Sequence, residues 1–239
     1  MKRITVLLAD DHMLVREGLR KMLELERDLE VVGEAADGRQ AVALVKKLRP
    51  AVVLMDIAMP LLNGLEATRQ VLKAVPATKV LILSAHSDDA YVRDAAESGA
   101  RGFLLKQSSS RDVCQAIHEV QNGNTFFSPS LAQRLHDREQ KPLDRGEQLK
   151  KKSNHLSSRE MEVLQLIAEG QPNKQVAAEL GVSFKTVDKH RQHLMAKLNI
   201  HDVAGLTRYA IAEGIIMSNV RVNIVQQPIA DAAAGARRP

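Results

Sequence analysis

Apolar and polar positions follow two periods along the first half of the chain. Five short runs rich in Val, Ile and Leu read as strands: ITVLLAD (4–10), EVVGEAA (30–36), AVVLMDI (51–57), KVLILSA (79–85) and RGFLLKQ (101–107). Between them, apolar residues recur at helical spacing over 13–25, 38–48, 64–74, 88–98 and 109–122. Strands that are apolar on both sides need cover on both faces. The β–α alternation therefore predicts an α/β unit, a doubly wound five-stranded parallel sheet, over residues 1–125. Gly38, Pro50, Pro60, Gly64, Pro76 and Gly99 punctuate its joints.

The pattern changes at residue 126. The stretch 126–154 is polar, with a basic cluster at Lys150, Lys151 and Lys152, and reads as a linker with some helix. Residues 155–217 then show an all-helical pattern. Ser157 or Ser158 can cap a helix running to Glu169, with Glu160 placed for a capping box. Further helices are expected over 173–180, 184–198 (opened by Ser183) and 202–213, with Gly181 at the turn between the first two of these. Residues 218–239 show no sustained period and read as a flexible tail.

Composition narrows the class. The chain has 239 residues, enough for two modest domains, and 44% of them are hydrophobic. It has no tryptophan, so the core must be aliphatic. The single cysteine, Cys114, excludes an internal disulfide framework and a cysteine metal cluster. No apolar run approaches the ~20 residues of a membrane span. The opening MKRITVLLADD starts like a secretory leader, but its apolar part is short and ends in two acids. These features point to a cytoplasmic protein with no membrane partner. Residues 1–125 hold 17 basic and 17 acidic residues, whereas 126–239 hold 17 and 12. The excess of positive charge thus lies wholly in the second half, which hints at a polyanionic partner there.

In a doubly wound sheet the carboxyl ends of the strands form the site crevice. Asp10 and Asp11 follow the first strand, Asp56 ends the third, Ser84 the fourth and Lys106 the fifth. Any one acid there is ordinarily a helix cap or loop residue. Five such groups at the ends of four strands share one sheet edge. Three carboxylates in reach of one another repel unless a cation sits among them, and oxygen donors suit Mg2+. Asp56 could then be a nucleophile toward phosphorus, with Lys106 and the metal offsetting charge on the phosphoryl oxygens and Ser84 donating a hydrogen bond.

Through ADD (9–11), MDIAMPLLNG (55–64), LSA (83–85) and LLK (104–106), residues 1–125 resemble the receiver domain of two-component response regulators. The resemblance implies a flavodoxin-like fold and a phosphoryl group accepted on Asp56 from a sensor histidine kinase. It implies Mg2+ held by Asp10, Asp11, Asp56 and the Ala58 carbonyl, with Asp11 the direct ligand and Asp10 acting through water or orienting the site. It makes Ser84 and Phe103 a switch pair, Phe103 turning inward behind Ser84. A degenerate receiver would lack an acid or the lysine, and none is missing. A dehalogenase-like phosphatase shares the aspartyl nucleophile but wants an acid two residues later, where Ala58 stands. Ala58 also offers no side chain to position water, which predicts slow loss of the phosphoryl group, although His86 could counter this.

Residues 155–217 form two helices joined by a short glycine turn, the shape of a helix-turn-helix, with further helices around them. Ala177, Leu180, Val182, Val187, Leu194 and Leu198 are spaced to pack it. The segment has seven residues of each charge sign, but 183–199 carries four basic residues against one acid. Through LSSREMEVLQLIAEG, NKQVAAELGVSFKTVDKHRQHLMAKLNI and the helix around Leu206, it resembles the LuxR-type DNA-binding domain. The whole chain is then similar to a NarL/FixJ-family response regulator, a phosphorylation-activated transcription regulator rather than an enzyme.

By position, Lys185, Thr186, His190 and Arg191 should lie near phosphates and Asp188, Lys189 and Gln192 near base edges. Asp188 stands where lysine is frequent in the family. It either accepts from cytosine N4 or only tempers the charge of the helix. The helix over 202–213 should provide the contact of a homodimer on promoter DNA, with RNA polymerase as a further candidate partner. An output through protein contacts alone is the alternative from another class.

Overall fold

The computed structural model describes residues 3–85, 89–127 and 156–216. His86, the expected linker beyond residue 127 and the expected tail lie outside the described residues. Strands β1 (Ile4–Ala9), β2 (Leu29–Ala35), β3 (Val52–Asp56), β4 (Lys79–Ser84) and β5 (Gly102–Leu105) alternate with helices α1 (Met13–Glu24), α2 (Gly38–Leu48), α3 (Gly64–Ala74), α4 (Asp89–Glu97) and α5 (Ser110–Gln121). A two-residue strand β6 (Phe126–Phe127) lies parallel to β5, at the start of the segment expected as linker, and adds a sixth strand to the five expected. The sheet order is β2-β1-β3-β4-β5-β6, with all pairs parallel.

The near-continuous apolar strands follow from burial on both faces. Leu7, Ala9, Val53, Met55, Ile82 and Phe103 pack in one core with residues of α2, α3 and α4. Val6, Leu8, Val52, Leu54, Leu81, Leu83 and Leu104 pack in a second core with α1 and α5. The chain leaves β1 toward β2 on one side and takes up β3 on the other, so the switch point of the sheet lies between β1 and β3. Asp10 and Asp56 stand on either side of it.

The helices start where side chains satisfy their first N–H groups. Asp37 accepts from Gln40 N over 2.8 Å and Asn63 from Glu66 N over 2.9 Å, and Ser109 forms a capping box with Asp112. The second half begins the same way. Ser157 and Glu160 form the expected capping box at the start of α6 (Ser158–Ala168). Then come α7 (Asn173–Leu180), closed by Gly181 at φ 62°, α8 (Phe184–Leu198), capped by Ser183, and α9 (Val203–Ala212), capped by Asp202. Ala177, Leu180, Val187 and Leu194 are buried in its core with Val163, Leu164, Leu166 and Leu206, and Val182 and Leu198 pack at its margin. No helix among the described residues is long and apolar enough to cross a membrane.

Two glycines let the chain close tightly after β3. A Cβ on Gly64 would lie 1.8 Å from the Asp56 carbonyl oxygen, and one on Gly38 would lie 2.0 Å from that of Leu62. Gly64 N in turn donates to Ile57 O over 2.8 Å. The loop 57–63 is thereby folded back onto the end of β3, which fixes the backbone around Asp56. We expect Gly64→Ala to destabilise the protein by about 2 kcal/mol or more, because rigid backbone rather than a side chain must yield. Gly18 lies on the exposed face of α1 with nothing within 4 Å of such a Cβ, so Gly18→Ala should stabilise by roughly 0.5–1 kcal/mol. Urea melts followed by far-ultraviolet circular dichroism measure both.

Candidate functional site

The parallel sheet brings Asp10, Asp56, Ser84 and Lys106 to one edge. Asp10 N donates to Ala35 O at the end of β2, and Lys106 N donates to Ser84 O, so both loops continue the strand pairing by one residue. Arg16 from α1 donates to the Asp10 carbonyl over 2.7 Å. Asp10 and Asp56 are 1% and 2% exposed, Ser84 is buried, and the Lys106 side chain is largely covered. Lys106 Nζ stands 2.8 Å from Asp10 Oδ2 and 2.9 Å from Asp56 Oδ2. One ammonium thus serves both carboxylates, through charge and through hydrogen bonding. Asp11 is partly exposed, and its Oδ1 lies 2.7 Å from His12 Nδ1. His12 also donates its backbone N–H to Asp10 Oδ1 over 2.9 Å. The bridging position of His12 was not read from the sequence; the run DDH carried the only signal.

Burial and the neighbouring Asp10 push the Asp56 carboxyl up to about 6, against a smaller pull downward by Lys106. Burial tends to lower Lys106, but the two carboxylates outweigh it and hold the ammonium above its usual range. Asp10, Asp11, His12 and Asp56 offer ligand atoms that all lie within 4.8 Å of one another. Two buried carboxylates with one ammonium leave negative charge uncompensated, and oxygen donors on a hard cation would correct this. Mg2+ therefore fits the residues present. Ala58 sits in the bend that follows β3. Phe103 is fully buried against the α4 side, paired in register with Ile82, two residues before Ser84.

On the helical unit, Lys185, Lys189 and Gln192 are exposed and Asp188 is half-buried, all on the outer face of α8. The hydroxyls of Thr186 and Ser183 lie 2.9 Å apart at the start of the helix. His190 and Arg191 are half-buried, and Arg191 donates to Asn173 on α7 over 3.1 Å. Arg191 therefore ties α8 to α7 as well as carrying charge.

The two halves meet through α6, on the loop that follows Asp56. Gln165, with no exposed surface, accepts from Asn63 N over 2.7 Å and donates to Met59 O over 2.9 Å. Glu169 accepts from Leu61 N at 3.2 Å. Glu162 accepts from Gln70 of α3 over 2.9 Å and from Arg39 of α2 over 3.3 Å. Leu61 holds φ 65°, an unfavourable region for a branched side chain, and packs against the helical core. At the far end, Gly214 sits so close to Tyr91 of α4 that a Cβ would lie 2.0 Å from the tyrosine hydroxyl. The outer face of α8 is not part of this junction. Glu162, Gln165 and Glu169 recur at helical spacing on α6, and nothing in that spacing singled them out as a junction.

Comparison with known proteins agrees with both halves. The model of the response regulator receiver domain matches residues 6–118, and that of bacterial regulatory proteins of the luxR family matches residues 154–210. The transcriptional regulatory protein DegU of Brevibacillus brevis is 36% identical over 84% of this chain and 89% of its own. The response regulator protein VraR of Staphylococcus aureus is 35% identical over 89% of this chain and 99% of its own. Among solved structures, a LuxR-family two-component response regulator from Aurantimonas sp. shares 34% identity at a TM-score of 0.56, covering 59% of this chain and all of that one. The Salmonella typhimurium RcsB response regulator shares 27% identity at a TM-score of 0.53, covering 89% of this chain and all of its own.

The raised Asp56 pKa has a consequence for stability. The native chain holds this proton up to about pH 6, whereas the unfolded chain releases it near the ordinary aspartate value of 3.8. Between those values the native state binds more protons, so stability falls as pH rises, by up to about 3 kcal/mol from this group, and the loss is complete above pH 6. Urea melts of metal-free protein at about pH 5 and about pH 7.5 should show the part of this loss that falls above pH 5, roughly 1–1.5 kcal/mol. Asp56→Asn should lack that contribution and be the more stable of the two at the higher pH. Adding Mg2+ should stabilise the wild type more than the variant.

Proposed function

This chain belongs to the NarL/FixJ family of response regulators, and from that premise we propose that it is a cytoplasmic transcription regulator switched by phosphoryl transfer to Asp56. It joins a receiver domain to a LuxR-type DNA-binding domain. The observation that carries the phosphoacceptor assignment is the Lys106 ammonium held 2.8 and 2.9 Å from two buried carboxylates, Asp10 and Asp56, at one sheet edge.

The donor is a phosphohistidine of a sensor histidine kinase. An oxygen of the ionised Asp56 forms the new P–O bond as the P–N bond to the donor imidazole breaks, and the imidazole nitrogen keeps the electron pair. Lys106 offsets charge on the transferred oxygens, and the Ser84 hydroxyl donates a hydrogen bond to one of them. Asp10, Asp11, Asp56 and the Ala58 carbonyl would hold Mg2+, which supplies further neutralisation of those oxygens when bound. Phe103 fills the space behind Ser84. The ionised Asp56 already carries one negative charge, so its phosphorylation adds about one more beside the loop 57–63 and spreads it over three strong acceptor oxygens. That loop is held by Gln165 and Glu169 of α6. Its rearrangement would loosen the junction and free the helical domain to act as one half of a dimer on promoter DNA. A solved structure described as two RcsB dimers bound to two parallel DNAs, 27% identical at a TM-score of 0.53, supports the dimeric reading. On DNA, α8 enters the major groove, with Lys185, Thr186, His190 and Arg191 toward phosphates and Asp188, Lys189 and Gln192 toward base edges.

Acetyl phosphate with Mg2+ should label the wild type at one site, read as a mass shift of one phosphoryl group. Asp56→Asn and chelation of Mg2+ should each abolish it; labelling at full strength in Asp56→Asn would refute the nucleophile. Gln165→Ala removes the side chain that holds both sides of the loop, each hydrogen bond contributing on the order of 1 kcal/mol. It should raise the DNA affinity of the unphosphorylated chain about fivefold or more in fluorescence anisotropy titrations, toward that of the phosphorylated wild type.

A further inference from the structure

The outer face of α8 carries one acid among its bases, and the structure shows how that acid is held. Gln192 Nε2 donates to Asp188 Oδ2 over 3.0 Å, one helical turn apart. Lys185 and Lys189 flank the pair on the same face. We infer that Asp188 and Gln192 form one base-reading unit that selects a cytosine next to an adenine in each half-site. This rests on the reading in which α8 enters the major groove.

The inference follows from counting donors and acceptors. A carboxylate only accepts. Guanine and thymine offer it no amino group in the major groove, and adenine sets its N7 acceptor beside the N6 amino group. Cytosine presents N4–H donors with no acceptor alongside, so it is the one base edge that fits Asp188. Gln192 has two N–H groups and one carbonyl oxygen. One N–H is engaged by Asp188, which fixes the amide plane. The remaining N–H and the carbonyl form the donor–acceptor pair that matches adenine N7 and N6. The link also holds the carboxylate along the helix, toward Gln192. A lysine at position 188 would have the opposite chemistry, since an ammonium only donates and seeks guanine O6 and N7.

The test is selection from a randomised duplex library by the full-length chain treated with acetyl phosphate and Mg2+. The wild type should enrich half-sites with neighbouring cytosine and adenine, each preferred by about tenfold or more over the other bases. Asp188→Lys should convert the cytosine position to guanine and leave the other positions unchanged. Asp188→Asn, nearly isosteric, should shift the same position to adenine. Gln192→Ala should erase the adenine preference at its position. If Asp188→Lys and Asp188→Asn select the same bases as the wild type, or if the wild type selects guanine at that position, the assignment is overturned while sequence-specific DNA binding stands. If the wild type enriches no sequence at all, both fall.

Discussion

One ammonium between two buried carboxylates organises this molecule. Taking Asp10 and Asp56 out of water at the end of a parallel sheet is costly, and Lys106 is the group that makes it tolerable. The compensation is incomplete, since one positive charge faces two negative ones, and the Asp56 carboxyl is left with a raised proton affinity. A stable core residue would be neutralised fully. In the proposed function, this incomplete compensation leaves the site ready for a cation and an incoming phosphoryl group. Glycines on both sides of the β3–α3 loop keep that loop pressed to the end of the strand, so little can change at Asp56 without being felt between residues 57 and 63.

That same loop is what the second half of the chain grips. Gln165 uses both ends of its amide on two backbone groups of the loop, and Leu61 adopts a left-handed backbone to reach the helical core. A strained non-glycine residue persists only where its surroundings over-determine it. Here the surroundings belong to a different domain. The site at the sheet edge and the DNA-binding domain are therefore separated by only a few residues of backbone, and no long chain of packed side chains is needed to couple them.

Much of this was legible in the sequence, and the physical reasons are specific. The strands stood out because both faces of a parallel sheet are buried, and the helices because apolar residues recur at helical spacing, with Ser157 and Ser183 opening two of them. Asp10, Asp56, Ser84 and Lys106 could be brought together because strand ends in such a sheet share an edge. What stayed hidden was what depends on docking and on short range. Phe126–Phe127 is too short to show a period. Glu162, Gln165 and Glu169 show only helical spacing until a second surface covers them. His12 between two acids, and Arg191 turned back to Asn173, are settled by side-chain geometry that spacing does not encode.

The open outer face of α8 carries a kinetic consequence. While α6 is clamped to the receiver, Lys185, Lys189 and Gln192 remain in solvent. In the proposed function, encounters with nucleic acid then need not wait for the domains to part, and the protein can scan duplexes by hopping and sliding with or without a signal. What phosphorylation alters is residence, the time a pair of chains stays once both find their half-sites. A regulator of this kind answers a stimulus from molecules already on the chromosome, and its delay is set by partner search along DNA instead of by diffusion from the cytosol.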